Sequence, residues 1–198
     1  IVTETFEEHL KRLEHVLRRI RSAGLTINRE KSHFCQDEAK YLGVLVNREG
    51  FRPDPAKVDP IINFPTPKNL RQLRRFMGMA SWHRKFLKDL ATIAEPLTRL
   101  LKKGRRYEWG EEQQAAFEQI KALLATAPVL QSPRFDEEFV IQTDASDTGV
   151  GAVLLQFIDG DERVLEYASR TLSPAERNYS VTERECLAVV WAIEKFRP

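Results

Sequence analysis

The sequence predicts an α+β protein in which a helical middle is followed by an antiparallel sheet and a closing helix. Three observations lead to this prediction. Up to about residue 126, apolar residues mostly recur every three or four positions, as in helices, with short strands expected at 25–52. From residue 135 the period changes to two, which is typical of strands. Three successive strands followed by a helix indicate a sheet with one face covered by that helix.

Composition is that of an ordinary globular protein. Of the 198 residues, 42% are hydrophobic and 30% are charged. No stretch approaches the ~18 consecutive apolar residues that a membrane span needs, so no membrane partner is expected. Cys35 and Cys186 lie far apart and outside any metal-type spacing, which favours a reducing, intracellular compartment.

The net charge of +2 conceals a strongly basic middle segment. Residues 68–106 hold twelve Lys or Arg side chains against only Asp89 and Glu95, a net charge of +10, while the remainder carries −8. A basic segment between acidic ones is typical of a protein that holds a polyanion. On charge alone, the alternative to a polyanion-binding segment is a helical surface whose basic side chains are simply solvated.

The first element is predicted to be a helix that begins after Thr5 and stops at Gly24. Thr5 and Glu8 fit a capping box, and glycine is the usual C-terminal stop. In residues 25–52 the stretches LTIN, KSHF and KYLGVLVN are predicted to be short strands, with NREG as a turn. The apolar stripe of the helix is expected to pack on this region.

Five prolines between residues 53 and 67 mark a module boundary, although a short helix fits within this stretch. Thr66 is predicted to cap a helix that runs from Pro67 to about Met79. Further helices are predicted at about 81–90, 93–103 and 111–126.

The last third is predicted to form three strands and a helix at 181–197. The strand candidates are FVIQTDAS, GAVLLQFI and RVLEYASRTL, joined by the turns DASDTG and DGDE. Glu185 lies on the flank of the helix stripe that is predicted to face the sheet. Asp144 stands at the end of the first strand, where it could also be a turn former that bonds nearby N–H groups. The stripe consists of Cys186, Val189, Ile193 and Phe196.

Four motifs follow one another along the chain. They are KYLGVLVNREGFRPDPAKVDPI at 40–61, the segment 70–103, the segment 107–130, and the region that contains TDAS at 143–146. In this order they resemble the reverse transcriptases of gypsy-like long-terminal-repeat retrotransposons, along essentially the whole chain. The layout that the resemblance implies is the end of the polymerase palm at 1–52, the thumb at 53–106, a connection at 107–134 and the N-terminal half of an RNase H-like domain at 135–198.

The resemblance implies that the intact protein is an RNA-directed DNA polymerase, a nucleotidyltransferase whose RNase H part is an endonuclease for RNA in RNA–DNA hybrids. In this family the polymerase aspartates lie in a Tyr-x-Asp-Asp turn, and no residue of this chain is assigned to that site. We therefore expect the chain alone to be inactive. The alternatives are a catalytically dead, decayed or host-retained nucleic-acid-binding module, and a structural interaction protein.

The resemblance also implies that Asp144 and Glu185 are catalytic metal ligands. Paired metal ions stabilise the attacking and leaving oxygens of a phosphodiester, and oxygen ligands suit Mg²⁺ or Mn²⁺. Two carboxylates are an incomplete set, so binding is expected to be weak. The expected partners are an RNA–DNA hybrid or DNA duplex and the remainder of the polyprotein, in the cytoplasm, within a virus-like particle, or in the nucleus.

A nucleic-acid surface is expected in the thumb and in the hairpin before it. Leu42-Gly43 resembles the primer-grip hairpin of the family, in which glycine lets the backbone approach the primer; a packing glycine is the alternative. Lys and Arg contact phosphates without reading sequence, whereas Trp82 and Phe86 could equally be core residues. The residues predicted to contact nucleic acid are Leu42, Gly43, Lys68, Arg71, Arg74, Arg75, Trp82, His83, Arg84 and Lys85.

Overall fold

The computed structural model describes residues 1, 3 and 5–197, and these divide into two compact units, Ile1–Asp37 and Glu38–Pro198. The predicted α+β class is confirmed. The helices are α1 (Phe6–Ser22), α2 (Pro55–Ile62), α3 (Leu70–Trp82), α4 (Leu90–Ile93), α5 (Glu95–Leu100), α6 (Glu111–Ala125) and α7 (Val181–Lys195). The strands are β1 (Ala39–Tyr41), β2 (Val44–Asn47), β3 (Gly50–Pro53), β4 (Val140–Ala145), β5 (Gly149–Ile158) and β6 (Asp161–Thr171). Within the described ranges, no helix is long and apolar enough to cross a membrane.

The first unit contains α1 and a short 3₁₀ turn at Arg29–Lys31. Thr5 caps α1 as predicted, since its hydroxyl accepts a hydrogen bond from the Glu8 N–H at 3.3 Å. The two strands predicted at 25–28 and 31–34 are wrong. This segment is almost wholly exposed and has no partner strand in the unit; instead, the Asn28 side chain accepts a hydrogen bond from the Lys31 N–H and caps the 3₁₀ turn.

The second unit begins with an antiparallel sheet, β1-β2-β3. The predicted strand KYLGVLVN is in fact a hairpin, because Leu42 and Gly43 take φ values of 46° and 85° and turn the chain between β1 and β2. At the next hairpin Asn47 pairs with Gly50. Phe51 of β3 also exchanges two backbone hydrogen bonds with Leu130, of 2.8 and 2.9 Å, so the segment after α6 lies against this sheet.

Helices α2 to α6 form the main hydrophobic core of the unit. Helix α3 begins later than predicted, because Asn69 and not Thr66 is its N-cap: the Asn69 side chain accepts a hydrogen bond from the Gln72 N–H at 3.0 Å. Asparagine ranks above threonine as an N-cap, which explains the shift. The largest fully buried residues of this core include Ile61, Leu73, Phe76, Leu97, Phe117 and Ile120.

The last third forms an antiparallel sheet, β4-β5-β6, with α7 on one face, as predicted. The side of α7 that faces the sheet was predicted wrongly. Ala188 and Ala192 are fully buried, whereas Val189 and Ile193 of the predicted stripe are 46% and 56% exposed. Alanines allow the helix backbone to lie close to the sheet, so the small residues and not the large ones mark the contact.

Helix α4 covers the opposite face of this sheet, a contact that the sequence did not predict. The Ala91 N–H donates a hydrogen bond to Ser169 Oγ of β6 at 2.9 Å. A Cβ built on Gly151 would lie 2.6 Å from Asp89 Oδ1, and one on Gly149 would lie 2.9 Å from Thr92 Oγ1. Two glycines of β5 therefore leave the space that the α4 segment occupies.

Candidate nucleic-acid interface and carboxylate positions

One side of α3 presents a continuous stripe of exposed residues. Arg71, Arg74, Arg75, Gly78 and Trp82 are all exposed, and at 3.6 residues per turn they fall within about 100° of the helix circumference. The opposite side supplies the buried core residues of the helix. We call these five residues the α3 stripe.

The arginines of the α3 stripe form no ion pair with any residue that the structure describes. Among the ion pairs of the described residues, none includes Arg71, Arg74 or Arg75. Arg75 only packs its guanidinium 5.9 Å from the centroid of the Phe64 ring. From Arg71 to Trp82 the stripe extends about 17 Å at 1.5 Å per residue, which matches roughly five steps of a duplex at 3.4 Å each.

Trp82 connects the α3 stripe to the hairpin of β1 and β2. A Cβ built on Gly43 would lie 3.4 Å from the indole Nε1, so the indole packs directly on the Leu42-Gly43 turn. Trp82 is 69% exposed and Leu42 is 76% exposed, whereas Phe86 is buried. Phe86 is therefore a core residue, and Trp82 belongs to the surface. The hairpin turn and the tryptophan form one apolar surface at the C-terminal end of the stripe.

His83 does not belong to this surface, contrary to the sequence prediction. Helix α3 ends at Trp82 and the chain turns into a 3₁₀ segment, which directs the next side chain inward. His83 is only 2% exposed and packs against Phe86 with ring centroids 6.4 Å apart. Burial lowers the pKa of His83, and the charge of Lys85 lowers it further, so the imidazole is held neutral in the core.

Lys85, which was predicted to contact nucleic acid, is partly exposed, and its ammonium group packs on aromatic rings. The Nζ atom lies 4.5 Å from the Phe51 centroid and 5.0 Å from the Phe86 centroid. Burial lowers the pKa of Lys85, while the charge of Glu166 raises it. The side chain thus joins the first sheet to the segment after α3, and its cation–π contacts compete with any phosphate contact. The neighbouring Arg84 is exposed, as is Lys68 before α3.

Asp144 belongs to β4 of the second sheet, and Glu185 belongs to α7, which packs on one face of that sheet. Asp144 pairs with Gly151, and a Cβ built on Gly151 would point toward Asp89 at the start of α4. The next pair, Ala145 with Val150, instead packs with α7. Paired residues share a face and successive residues alternate, so Asp144 points away from the α7 face. Asp144 is exposed and Glu185 is partly exposed on α7. Strand β4 lies at an edge of this sheet and is in contact with α7, so both carboxylates belong to neighbouring elements at that edge.

Asp89 is an acid that the structure brings close to Asp144, on the same face of the sheet. It takes a φ of 54° at the start of α4 and lies against Gly151, the pairing partner of Asp144. Burial raises the pKa of Asp89; the charge of Lys88 lowers it, and that of Asp144 raises it. The sequence prediction missed this residue, although two glycines in a strand were a signal of close approach. Across the described residues, no group of three or more His, Cys, Asp or Glu side chains could hold a metal ion.

An ion pair fixes the connection between β6 and α7. The Arg170 guanidinium donates two hydrogen bonds of 2.9 Å to the Glu176 carboxylate and lies 5.8 Å from the Trp191 ring. These bonds, with that from the Ser173 N–H, lower the pKa of Glu176 to about 2. The carboxylate therefore stays ionised at neutral pH and helps to place the N-terminal end of α7, which carries Glu185.

Comparisons with known proteins agree with this geometry. Residues 109–198 match a family described as the RNase H-like domain found in reverse transcriptase. Over 198 residues the chain is 38% identical to the retrovirus-related Pol polyprotein from transposon 297 of Drosophila melanogaster. It is 36% identical over the same length to the transposon Tf2-3 polyprotein of Schizosaccharomyces pombe. The chain is covered completely in both comparisons, but it spans only 18% and 15% of these relatives.

Solved structures of the foamy viral protease-reverse transcriptase share the fold. One, of the dRH form in complex with double-stranded DNA, has a TM-score of 0.88 at 25% identity and covers 98% of this chain and 34% of that chain. Another, in complex with an RNA/DNA hybrid, has a TM-score of 0.84 at 25% identity and covers 98% of this chain and 27% of that chain. This chain therefore belongs to the reverse transcriptase and RNase H region of retrotransposon Pol polyproteins.

Proposed function

We propose that this chain holds a nucleic-acid duplex by its backbone while the intact polyprotein carries out RNA-directed DNA synthesis and RNase H hydrolysis. The observation that carries the proposal is the α3 stripe, in which three arginines without carboxylate partners share one exposed face with Gly78 and Trp82. Such arginines bind phosphates and give affinity without reading sequence. DNA duplex and RNA–DNA hybrid, the ligands in the foamy viral complexes, are the proposed partners.

Gly78 supports this proposal independently of charge. A glycine inside a helix costs about 0.5–1 kcal/mol relative to alanine. Apart from the adjacent residues and the backbone of α3 itself, no described atom lies within 4 Å of a Cβ built on Gly78, so packing against the rest of the described structure does not require the glycine. Because Gly78 has no side chain, the helix surface between Arg74 and Trp82 is flat there, and a ligand can approach the helix backbone closely.

The turn at Leu42-Gly43 is proposed to contact the primer strand at the end of the same surface. Leu42 takes a φ of 46°, which is unfavourable for a leucine, and its side chain is nevertheless left 76% exposed. A strained turn with an exposed apolar side chain beside an exposed indole provides a stacking surface for a sugar or base. Leu42, Gly43 and Trp82 therefore form the proposed primer-end contact.

Removing the three arginines tests the proposal. We expect the variant with Arg71→Gln, Arg74→Gln and Arg75→Gln to lower the slope of log affinity against log salt by about 2–3, because each phosphate contact contributes about 0.9. Affinity for a DNA duplex at low salt should fall about tenfold or more. The measurement is a fluorescence anisotropy titration at several salt concentrations.

A matched control changes the same number of charges elsewhere. Arg48, Lys57 and Arg134 are exposed and take part in none of the ion pairs within the described ranges, so their triple glutamine variant is a suitable control. The proposal fails if the control lowers the salt slope as much as the α3 variant does, or if the α3 variant keeps the wild-type slope.

The four-part layout belongs to the same proposal. Residues 1–52 are assigned to the palm, 53–106 to the thumb, 107–134 to the connection and 135–198 to the RNase H-like half. The match of residues 109–198 to the RNase H-like family supports the last two assignments jointly. No contact among the described residues favours the alternative of a catalytically dead or host-retained binding module.

We further propose that Asp144 and Glu185 bind Mg²⁺ or Mn²⁺ weakly around the edge of β4. Reverse transcriptase and RNase H-like domains generally use divalent metals, which stabilise the attacking and leaving oxygens of a phosphodiester. The exposure of Asp144 and the partial exposure of Glu185 support access of an ion to both carboxylates. Because these two residues approach from different faces, the site needs further oxygen ligands from water or substrate phosphate.

Paramagnetic broadening tests the metal proposal. We expect Mn²⁺ at millimolar concentration to broaden the backbone amide signals near Asp144 and near Glu185 together, and Asp144→Asn to reduce both effects. Asp147→Asn is the control, because Asp147 lies in the following turn and is paired with Arg184. Broadening that persists in Asp144→Asn, or that responds equally to Asp147→Asn, would show that the ion binds elsewhere.

A further inference from the structure

A second basic surface lies in the loop between α5 and α6. Its side chains are exposed, and the only carboxylate in the segment 102–109 is Glu108, which lies 3.6 Å from Arg106. None of the ion pairs that the described residues form includes the other three cations of the loop. The cations of this surface, which we call the basic loop, are Lys102, Lys103, Arg105 and Arg106.

The basic loop is fixed beside the start of α3. The hydroxyl of Tyr107 donates a hydrogen bond of 2.5 Å to the carbonyl oxygen of Pro67, the residue before Lys68. Burial raises the pKa of Tyr107, which keeps the hydroxyl a donor. Tyr107 stacks on Trp109 with centroids 6.3 Å apart, and Trp109 meets the buried Phe117 edge-on at 5.8 Å. The loop end is thus attached to both the core and the N-terminal end of the α3 segment.

The loop also borders a shallow cavity of about 330 Å³. Arg99, Arg105 and Arg106 line it together with Trp109. Glu108 also lines the cavity. Arg99 is engaged by Glu95 and Glu112, and Arg106 lies 3.6 Å from Glu108, so the cation at the cavity that no ion pair of the described residues includes is Arg105. Guanidinium groups bind phosphate oxygens with two parallel hydrogen bonds, and a cavity of this size accommodates a phosphodiester group.

We propose that the basic loop binds the phosphate backbone of the same duplex that the α3 stripe holds, beyond the Arg71 end of the stripe. This inference rests on the proposed function of α3. The α3 stripe alone accounts for roughly five duplex steps. The hydrogen bond from Tyr107 to Pro67 attaches the loop near the N-terminal end of α3, so the loop adds further cations at that end of the helix. The duplex contact is then longer than α3, with the primer-end surface at Trp82 and the basic loop at opposite ends.

The test compares charge-matched variants on one DNA duplex of about 20 base pairs, longer than the contact of α3. We expect Arg105→Gln/Arg106→Gln to lower the salt slope by about 2, and Lys102→Gln/Lys103→Gln to do the same, with effects that add to those of the α3 triple variant. Arg48→Gln/Arg134→Gln is the control and should leave the slope unchanged. Thermal unfolding of each variant verifies that the fold is retained.

The outcomes separate this inference from the proposal on α3. If the α3 triple variant lowers the slope but both loop variants keep it, the inference on the basic loop is overturned and the function of α3 stands. If the wild-type chain does not bind the duplex, or the α3 triple variant keeps the wild-type slope, the function of α3 is overturned and the inference with it. A lower slope for both loop variants, with the control unchanged, supports the inference.

Discussion

Replacing Gly50 by alanine is expected to destabilise the second unit by about 3–5 kcal/mol, which is enough to unfold many domains. Gly50 takes a φ of 133°, a region that residues with a Cβ rarely adopt. A Cβ there would overlap the Leu130 carbonyl oxygen and lie 2.9 Å from its carbonyl carbon. Because both obstacles are backbone atoms, the strand can relieve the overlap only by breaking the paired hydrogen bonds of Phe51 and Leu130.

Urea unfolding followed by circular dichroism measures this effect. Gly104→Ala is the matched control: its φ is 80°, and apart from its two chain neighbours no described residue places an atom within 4 Å of the added Cβ. It should cost only about 1 kcal/mol of backbone strain. If the free energy of unfolding fell equally in the two variants, glycine would be required at position 50 only by its positive φ, and the close approach of residue 130 would not matter.

Replacing Gln156 by leucine is expected to cost about 2–4 kcal/mol, because it leaves partly buried backbone groups without partners. Gln156 lies in β5 and is fully buried. Its amide nitrogen donates to the carbonyl oxygens of Arg134 and Glu137 at 2.6 and 3.1 Å, and its amide oxygen accepts from the Arg134 N–H at 2.9 Å. The side chain thus holds the segment that leads into β4 and Asp144.

Hydrogen exchange of the Arg134 amide separates this mechanism from a general loss of stability. The exchange rate of that amide in Gln156→Leu should rise more than the rates of amides within α6. Gln119→Leu introduces the same side chain at an exposed position of α6 and should change stability by no more than about 0.5 kcal/mol. Retained protection of the Arg134 amide in the Gln156 variant would contradict this account.

Local patterns were sufficient to predict most elements of the second sheet. Alternating residues and the turn at Asp159-Gly160, where both residues take positive φ, predicted β5 and β6 to within a few residues. The strands predicted at 25–34 failed because a strand needs a partner, and the alternation of a short stretch does not reveal one. The packing of α4 on Gly149 and Gly151 joins residues far apart in sequence, and no local periodicity encodes it.

For the candidate nucleic-acid surface, local sequence patterns predicted the helix but not the direction of every side chain. The exposed arginines of α3 followed from helical spacing once the buried side was known. His83 was misplaced because its direction depends on whether the helix ends at residue 82 or continues, a detail that sequence patterns locate only to within a few residues. On α7 the large apolar residues were predicted to face the sheet, although Ala188 and Ala192 are the residues that pack on it.

Recombination between retroelements is constrained by the way α4 lies on the second sheet. A junction between residues 106 and 107 would join a sheet from one lineage to an α4 from another. Asp89 and Thr92 occupy the space that side chains at positions 151 and 149 would need, so the parent that supplies the sheet must carry glycines or compensating changes there. Viable chimeras are therefore expected to inherit residues 89–151 as one block.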